Sequence, residues 1–240
     1  RQYYQFLEPL TVDRYEIDGE TRDTVIAVRE LNLDGLDAER RSWVNDHTVY
    51  THGFGVAAAY GNTITSRGDP TFWEAGIPSV GEIGDYEARV YFGQQSPEYS
   101  IVGAPEGSDP WELDYPDDAA PNGQVMNTYT GDGGPSVGNV FERLMFSIRM
   151  GSTELFFSDR VTSESQILFD RDPHERVRKV APYLTLDTKA VPAAIDMDGD
   201  PDTPKDLVWI IDAYTTSNNY PYSARETLLD ATTDAASSAA

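Results

Sequence analysis

The stretch Trp43–Tyr60, WVNDHTVYTHGFGVAAAY, decides how the rest of the chain is read. It sets two of the three histidines, His47 and His52, among a Trp and three Tyr or Phe rings. Gly53 and Gly55 break any helical period, and the short apolar run Val56–Tyr60 reads as extended. Polar groups held among rings in a turn-rich bend mark the first place to look for chemistry.

Upstream of that bend, Tyr15–Gly19 and Thr24–Val28 read as β segments turning at Asp18-Gly19, and the charged pair Arg29-Glu30 ends the second. Asp34-Gly35 opens an expected helix from Leu36 to about Asn45. Downstream, Thr65–Asp85 reads as loop, and Glu87–Phe92 and Tyr99–Val102 as strands. Pro105–Gly123 is a surface excursion with room for a short edge strand at Glu112–Tyr115. A glycine-rich loop, Gly131–Gly138, feeds the clearest helix, Asn139–Met150, whose Val140, Phe141, Leu144, Met145 and Ile148 recur at three- and four-residue spacing. Thr153–Phe157 is open between helix and strand. Asp172-Pro173 starts a helix that runs to Val180, with Asp as cap and Pro in the first turn. Ala193–Asp196 and Leu207–Asp212 face each other as a hairpin. Without regular β–α alternation the expected class is α+β: mostly antiparallel sheet with a few packed helices and long loops. Residues 1–226 make one domain, and 227–240 an acidic Ala/Ser-rich tail.

Charge narrows the function classes. Forty-one acids stand against 18 bases, a net charge of −23. Such a field repels nucleic acid and anionic lipid surfaces. The absence of cysteine removes disulfides, thiolate nucleophiles and Cys-ligated metals. No run approaches the ~18 apolar residues of a membrane helix, and Arg1–Leu10 does not read as a signal peptide.

Several motifs begin and fail. His174-Glu175 starts like a zinc-protease helix, but Arg178 stands where the second His belongs. Gly134–Gly138 matches G-x-S-x-G without the apolar strand a nucleophile elbow requires. The same glycines mimic a phosphate loop until Asn139 replaces its Lys. Asp196, Asp198, Asp200 and Asp202 alternate as calcium ligands do, yet Pro201 and Leu207 break the EF-hand pattern. A calcium loop of another kind and a solvated hairpin tip both remain open there. His47 and His52 fall on opposite faces of a strand and roughly 140° apart on a helix, so sharing one metal requires a bend. Asp46, His47 and His52, with Asp212, are the candidate catalytic groups, the alternative being a cap and a turn. Arg29 and Glu30 either join them or form a buried ion pair. Tyr50 lines the same bend, and Tyr214, Thr215 and Thr216 form a polar rim read either as the edge of a small-molecule or saccharide pocket or as Tyr packing at a domain edge.

The blocks RQYYQF (Arg1–Phe6), VDRYEIDG (Val12–Gly19), RELNLDGL (Arg29–Leu36), WVNDHTVYTHGFG (Trp43–Gly55), YFG (Tyr91–Gly93), DYP (Asp114–Pro116), RDPHERVRKVAPYLTLD (Arg171–Asp187) and WIIDAYTTSNNYPYS (Trp209–Ser223) together resemble one family. It is the Uncharacterised Protein Family 0182 of bacterial polytopic membrane proteins. The resemblance spans Arg1 to Ser223 in the family's order and departs from it where Asp196–Asp206 lengthens a short turn. It implies an extracytoplasmic region of a membrane-integral protein, and it carries no catalytic residue. The expected role is a binding or interaction module in the cell envelope. Its partner is the membrane-embedded half of the same protein or another envelope component. An envelope hydrolase and a calcium-stabilised structural domain are the alternatives.

Overall fold

The computed structural model describes residues 4–6, 11–200 and 202–217. Expectations for most of Arg1–Leu10, for the boundary at 226 and for the 227–240 tail lie outside them. The class is α+β, and most strands pair antiparallel.

The main sheet grows from one long strand. β1 (Tyr4–Phe6) and β2 (Thr11–Ile17) both pair with β3 (Glu20–Leu31). β2 and β3 turn on Asp18 and Gly19, both at positive φ, as an Asp-Gly hairpin requires. After the short β4 (Gly53–Phe54), β5 (Val56–Ile64) lies beside β3 and is followed across the sheet by β6 (Pro70–Ala75) and β7 (Val80–Gly81). The sheet curls into a half-barrel. Alternate residues Ile26, Val28, Val56, Ala58 and Trp73 share one buried face.

Smaller pairs surround it. β8 (Arg89–Val90) pairs with β4, and β10 (Glu112–Pro116) with β11 (Gln124–Asn127). β9 (Tyr99–Val102) pairs with β12 (Gln166–Phe169), and β13 (Thr185–Ile195) with β14 (Asp206–Tyr214). The last hairpin packs Ala194, Leu207 and Trp209 on the main core. A second core forms around Tyr99, Ile101, Val137, Leu155 and Ile167, and a third around Leu31, Leu36, Tyr50 and Leu113. The helices are α1 (Val140–Met150), α2 (Glu154–Phe157) and α3 (Pro173–Val180). Asn139 and Glu142 cap α1 reciprocally, and Asp172 caps α3 with Pro173 in its first turn.

Three expectations are corrected. Leu36–Asn45 is not a helix: 3-10 turns at Leu33–Gly35 and Ala38–Arg40 lead into a π-helical turn, Asn45–Val49. Side chains there compete with helical bonding, since the Asn45 amide donates to the Arg40 carbonyl and Ser42 Oγ accepts from Asn45 N. Thr65–Asp85 is not all loop, because Trp73 carries β6 into the core despite the flanking Gly and Pro. Of Glu87–Phe92, only Arg89–Val90 is ladder-paired.

Candidate functional site

Chemistry-bearing side chains meet where β4 passes under β3. Gly53 is what permits it, since a Cβ there would lie 2.1 Å from the Arg29 carbonyl oxygen. The backbone of Thr51 and His52 is thereby drawn inside, and neither residue is more than 1% exposed. From β10, Glu112 and Asp114 come off the same strand face two residues apart. Both carboxylates are buried.

Glu112 accepts four hydrogen bonds. Its Oε2 accepts from the Thr51 hydroxyl at 2.8 Å and the Tyr91 hydroxyl at 2.9 Å. Its Oε1 accepts from Tyr129 N at 2.9 Å and Gly103 N at 3.1 Å. Because the single Thr51 proton goes to Glu112, Thr51 Oγ1 must accept from His52 Nδ1, 2.8 Å away. The other ring nitrogen, Nε2, lies 3.2 Å from Asp114 Oδ1, which also accepts from Arg89 Nε at 2.8 Å. Arg89 Nη2 donates to Oδ2 at 3.0 Å, a bidentate grip that fixes Asp114 as a carboxylate. Burial alone would raise the Asp114 pKa, but hydrogen bonds from His52 and Arg89 outweigh it and hold it below the usual range. His52 therefore sits between the Thr51 hydroxyl and the Asp114 carboxylate with both ring nitrogens engaged.

Arg171, just before α3, completes the cluster. It donates to the Tyr91 carbonyl and to Ser100 Oγ, both at 2.6 Å, and to the Thr51 carbonyl. Full desolvation lowers its pKa to about 10, against the pull of Tyr91, Glu30 and Glu112. Glu30 accepts Gln94 N at 3.0 Å and Gln95 N at 2.6 Å, and burial first of all raises its pKa. At one edge Arg89 and Asp114 reach an open cleft of about 500 Å³ walled by Phe54, Tyr86 and Tyr115. A carboxylate gripped by Arg89 and His52 is a poor proton acceptor, and these contacts tie β10 to β8 and to the segment before β4.

The histidines do not share a ligand. His47 stacks on Tyr99 (centroids 4.0 Å, planes 7° apart) and its Nδ1 donates to the Tyr99 carbonyl at 2.9 Å. Asp46 pairs with Arg41 Nε at 2.8 Å. Arg29 and Glu30, neighbours on β3, point to opposite faces, and Arg29 instead donates to Val56 O and Ser79 Oγ. Tyr50 is buried in the third core. Asp212, Tyr214, Thr215 and Thr216 are exposed. Oxygens of Asp196, Asp198 and Asp200 accept from Gly199, Asp200 and Asp202 N within their own loop. Asp202 is exposed, and among the described residues no three His, Asp or Glu side chains are grouped to hold a metal. Ser136 Oγ accepts from Gly138 N, and His174 Nε2 meets the Asp187 carbonyl at 3.0 Å.

Reasoning from the sequence missed Thr51, Arg89, Tyr91, Glu112, Asp114 and Arg171. A usable signal was present: acids at two-residue spacing flanking Leu113 in a strand with one buried face. The RELNLDGL, YTHGFG, YFG, DYP and RDPHER blocks supply Glu30, His52, Tyr91, Asp114 and Arg171, and they converge here from distant parts of the chain.

The chain matches the family model described as Uncharacterised protein family (UPF0182) over residues 1–238. It is 55% identical to a UPF0182 protein of Bifidobacterium adolescentis and 56% identical to one of Bifidobacterium longum, each over 98% of this chain and 21% of the relative. It is 53% identical to a UPF0182 protein of an Arthrobacter species, over 100% of the chain and 23% of the relative. The chain thus spans about a fifth of the length of these curated relatives. No solved structure matches it.

Proposed function

The chain belongs to the UPF0182 family, and from that premise we propose that it is an outward-facing interaction module of a membrane-integral envelope protein. One observation carries the reading: an apolar helix face is left in water while a polar cluster is buried. His52, Asp114, Glu112 and Arg171 lie inside, whereas Phe141 and Ile148 on α1 are each 70% exposed on a strongly acidic molecule. Apolar area left in water on such a surface marks a docking face. Chemistry at the buried end of the cluster would need access that the packing denies. Among the described residues no helix is long and apolar enough to cross a membrane.

The test uses the absence of cysteine in this segment. Glu106→Cys, in an exposed turn, is placed in the full-length protein with any cysteines elsewhere replaced. A membrane-impermeant maleimide added to intact cells should label it. Labelling only after permeabilisation would put the module on the other side of the membrane and end the proposal.

A further inference from the structure

The apolar stripe of α1 faces the wrong way for a helix that belongs only to this domain. At roughly 100° per residue, Val140, Phe141, Leu144, Met145 and Ile148 span about 140° of its circumference. That is the stripe whose periodicity marks a core-facing side. Yet Phe146 and Met150, from the opposite side, pack on the second core, and Arg143 there donates to the Val137 carbonyl. The five stripe residues are between 45% and 71% exposed. The helix is well made, with a reciprocal N-terminal cap and Gly151 in the left-handed conformation at its C-terminus, so its orientation is fixed and not frayed. It is apolar on both sides, as a helix sandwiched between two layers is, and among the described residues only one layer is present.

We infer that the outer face of α1 is covered by an apolar segment of the same polypeptide lying outside residues 1–240. This rests on the interaction-module reading and names its partner. Length supplies the occupant: in the relatives more than three-quarters of the polypeptide lies outside the stretch this chain matches. Charge selects among the rest. A second copy would bring a further net −23 against the first, and an anionic lipid surface is repelled in the same way. A tethered segment is held at high effective concentration and needs only modest area to stay docked. Arg149 on the helix flank is already engaged, with its guanidinium over the Phe169 ring at 4.4 Å and near Asp170.

The experiment uses the full-length protein in intact cells. Phe141→Cys is compared with Glu106→Cys for maleimide labelling, and a benzophenone amino acid is placed at Phe141 or at Leu144 for photocrosslinking. The expected result is labelling at position 141 at least about ten-fold slower than at 106, with crosslinked peptides joining α1 to a segment of the same chain beyond this stretch. Both substituted side chains are exposed, so the fold should tolerate the changes. A dimer-sized product, a lipid adduct, a crosslink to another protein, or no intrachain product from either position overturns the inference. So does equal labelling at 141 and 106, which would leave the outward orientation standing. Failure to label position 106 from outside removes the underlying reading instead, so the two failures are distinct.

Discussion

At the scale of single residues, the meaning of His52 turns on where one proton goes. Thr51 donates to Glu112, so Nδ1 of the buried ring donates to Thr51 while Nε2 faces Asp114. Replacing His52 with Gln breaks at least one of these two buried contacts. The expected loss is about 1–3 kcal/mol of folding stability in urea titrations; a loss under ~0.5 kcal/mol would show that the ring's contacts do not hold the site together. His47 is the contrasting case. Burial lowers its pKa from 6.5, so between its folded value and 6.5 the unfolded chain binds more protons than the native one. The stability from its neutral form is complete above pH 6.5 and is lost as pH falls through the folded value. His47→Phe keeps the stack on Tyr99 and removes that step, so its melting temperature should fall less than wild type's between pH 7 and 5. Of all this, the sequence disclosed that His47 and His52 lie on either side of a bend. It did not disclose their partners, because Glu112, Asp114 and Arg171 lie from about 60 to 120 positions away, and only folding sets which side chain lands on which.

At the scale of elements, local rules did well where the signal was local. The Asp18-Gly19 hairpin, Tyr99–Val102, the β10 segment, helix α1 and the cap of α3 all follow from turn chemistry, alternation, periodicity and capping. They failed where side chains bond their own backbone, as at Leu36–Asn45, or where one large ring outweighs its glycine and proline neighbours, as Trp73 does. Removing the α1 cap with Asn139→Ala should cost about 1 kcal/mol in thermal or chemical unfolding. Gly53→Ala should be far worse, because the added methyl meets the Arg29 carbonyl and separates β4 from β3. We expect a loss above ~3 kcal/mol or no soluble protein, and near-wild-type stability would refute the close approach.

At the scale of the whole molecule, the charge acts in two regimes. The surface excess of acid repels itself and is screened by salt, whereas the buried cluster is shielded from ions. Raising NaCl from about 10 to 300 mM should therefore raise the melting temperature by several degrees, and by a similar amount in His52→Gln. A much smaller rise in the variant would mean that salt reaches the cluster. By itself the sequence determined the charge, the family, the α+β class and most local elements, because composition and short-range periodicity are properties of neighbouring residues. Tertiary structure alone decided that the DYP, YFG, YTHGFG and RDPHER blocks close on one another. It alone decided, too, that the apolar stripe of α1 points outward: which side of a two-sided helix is buried depends on what else is there to cover it.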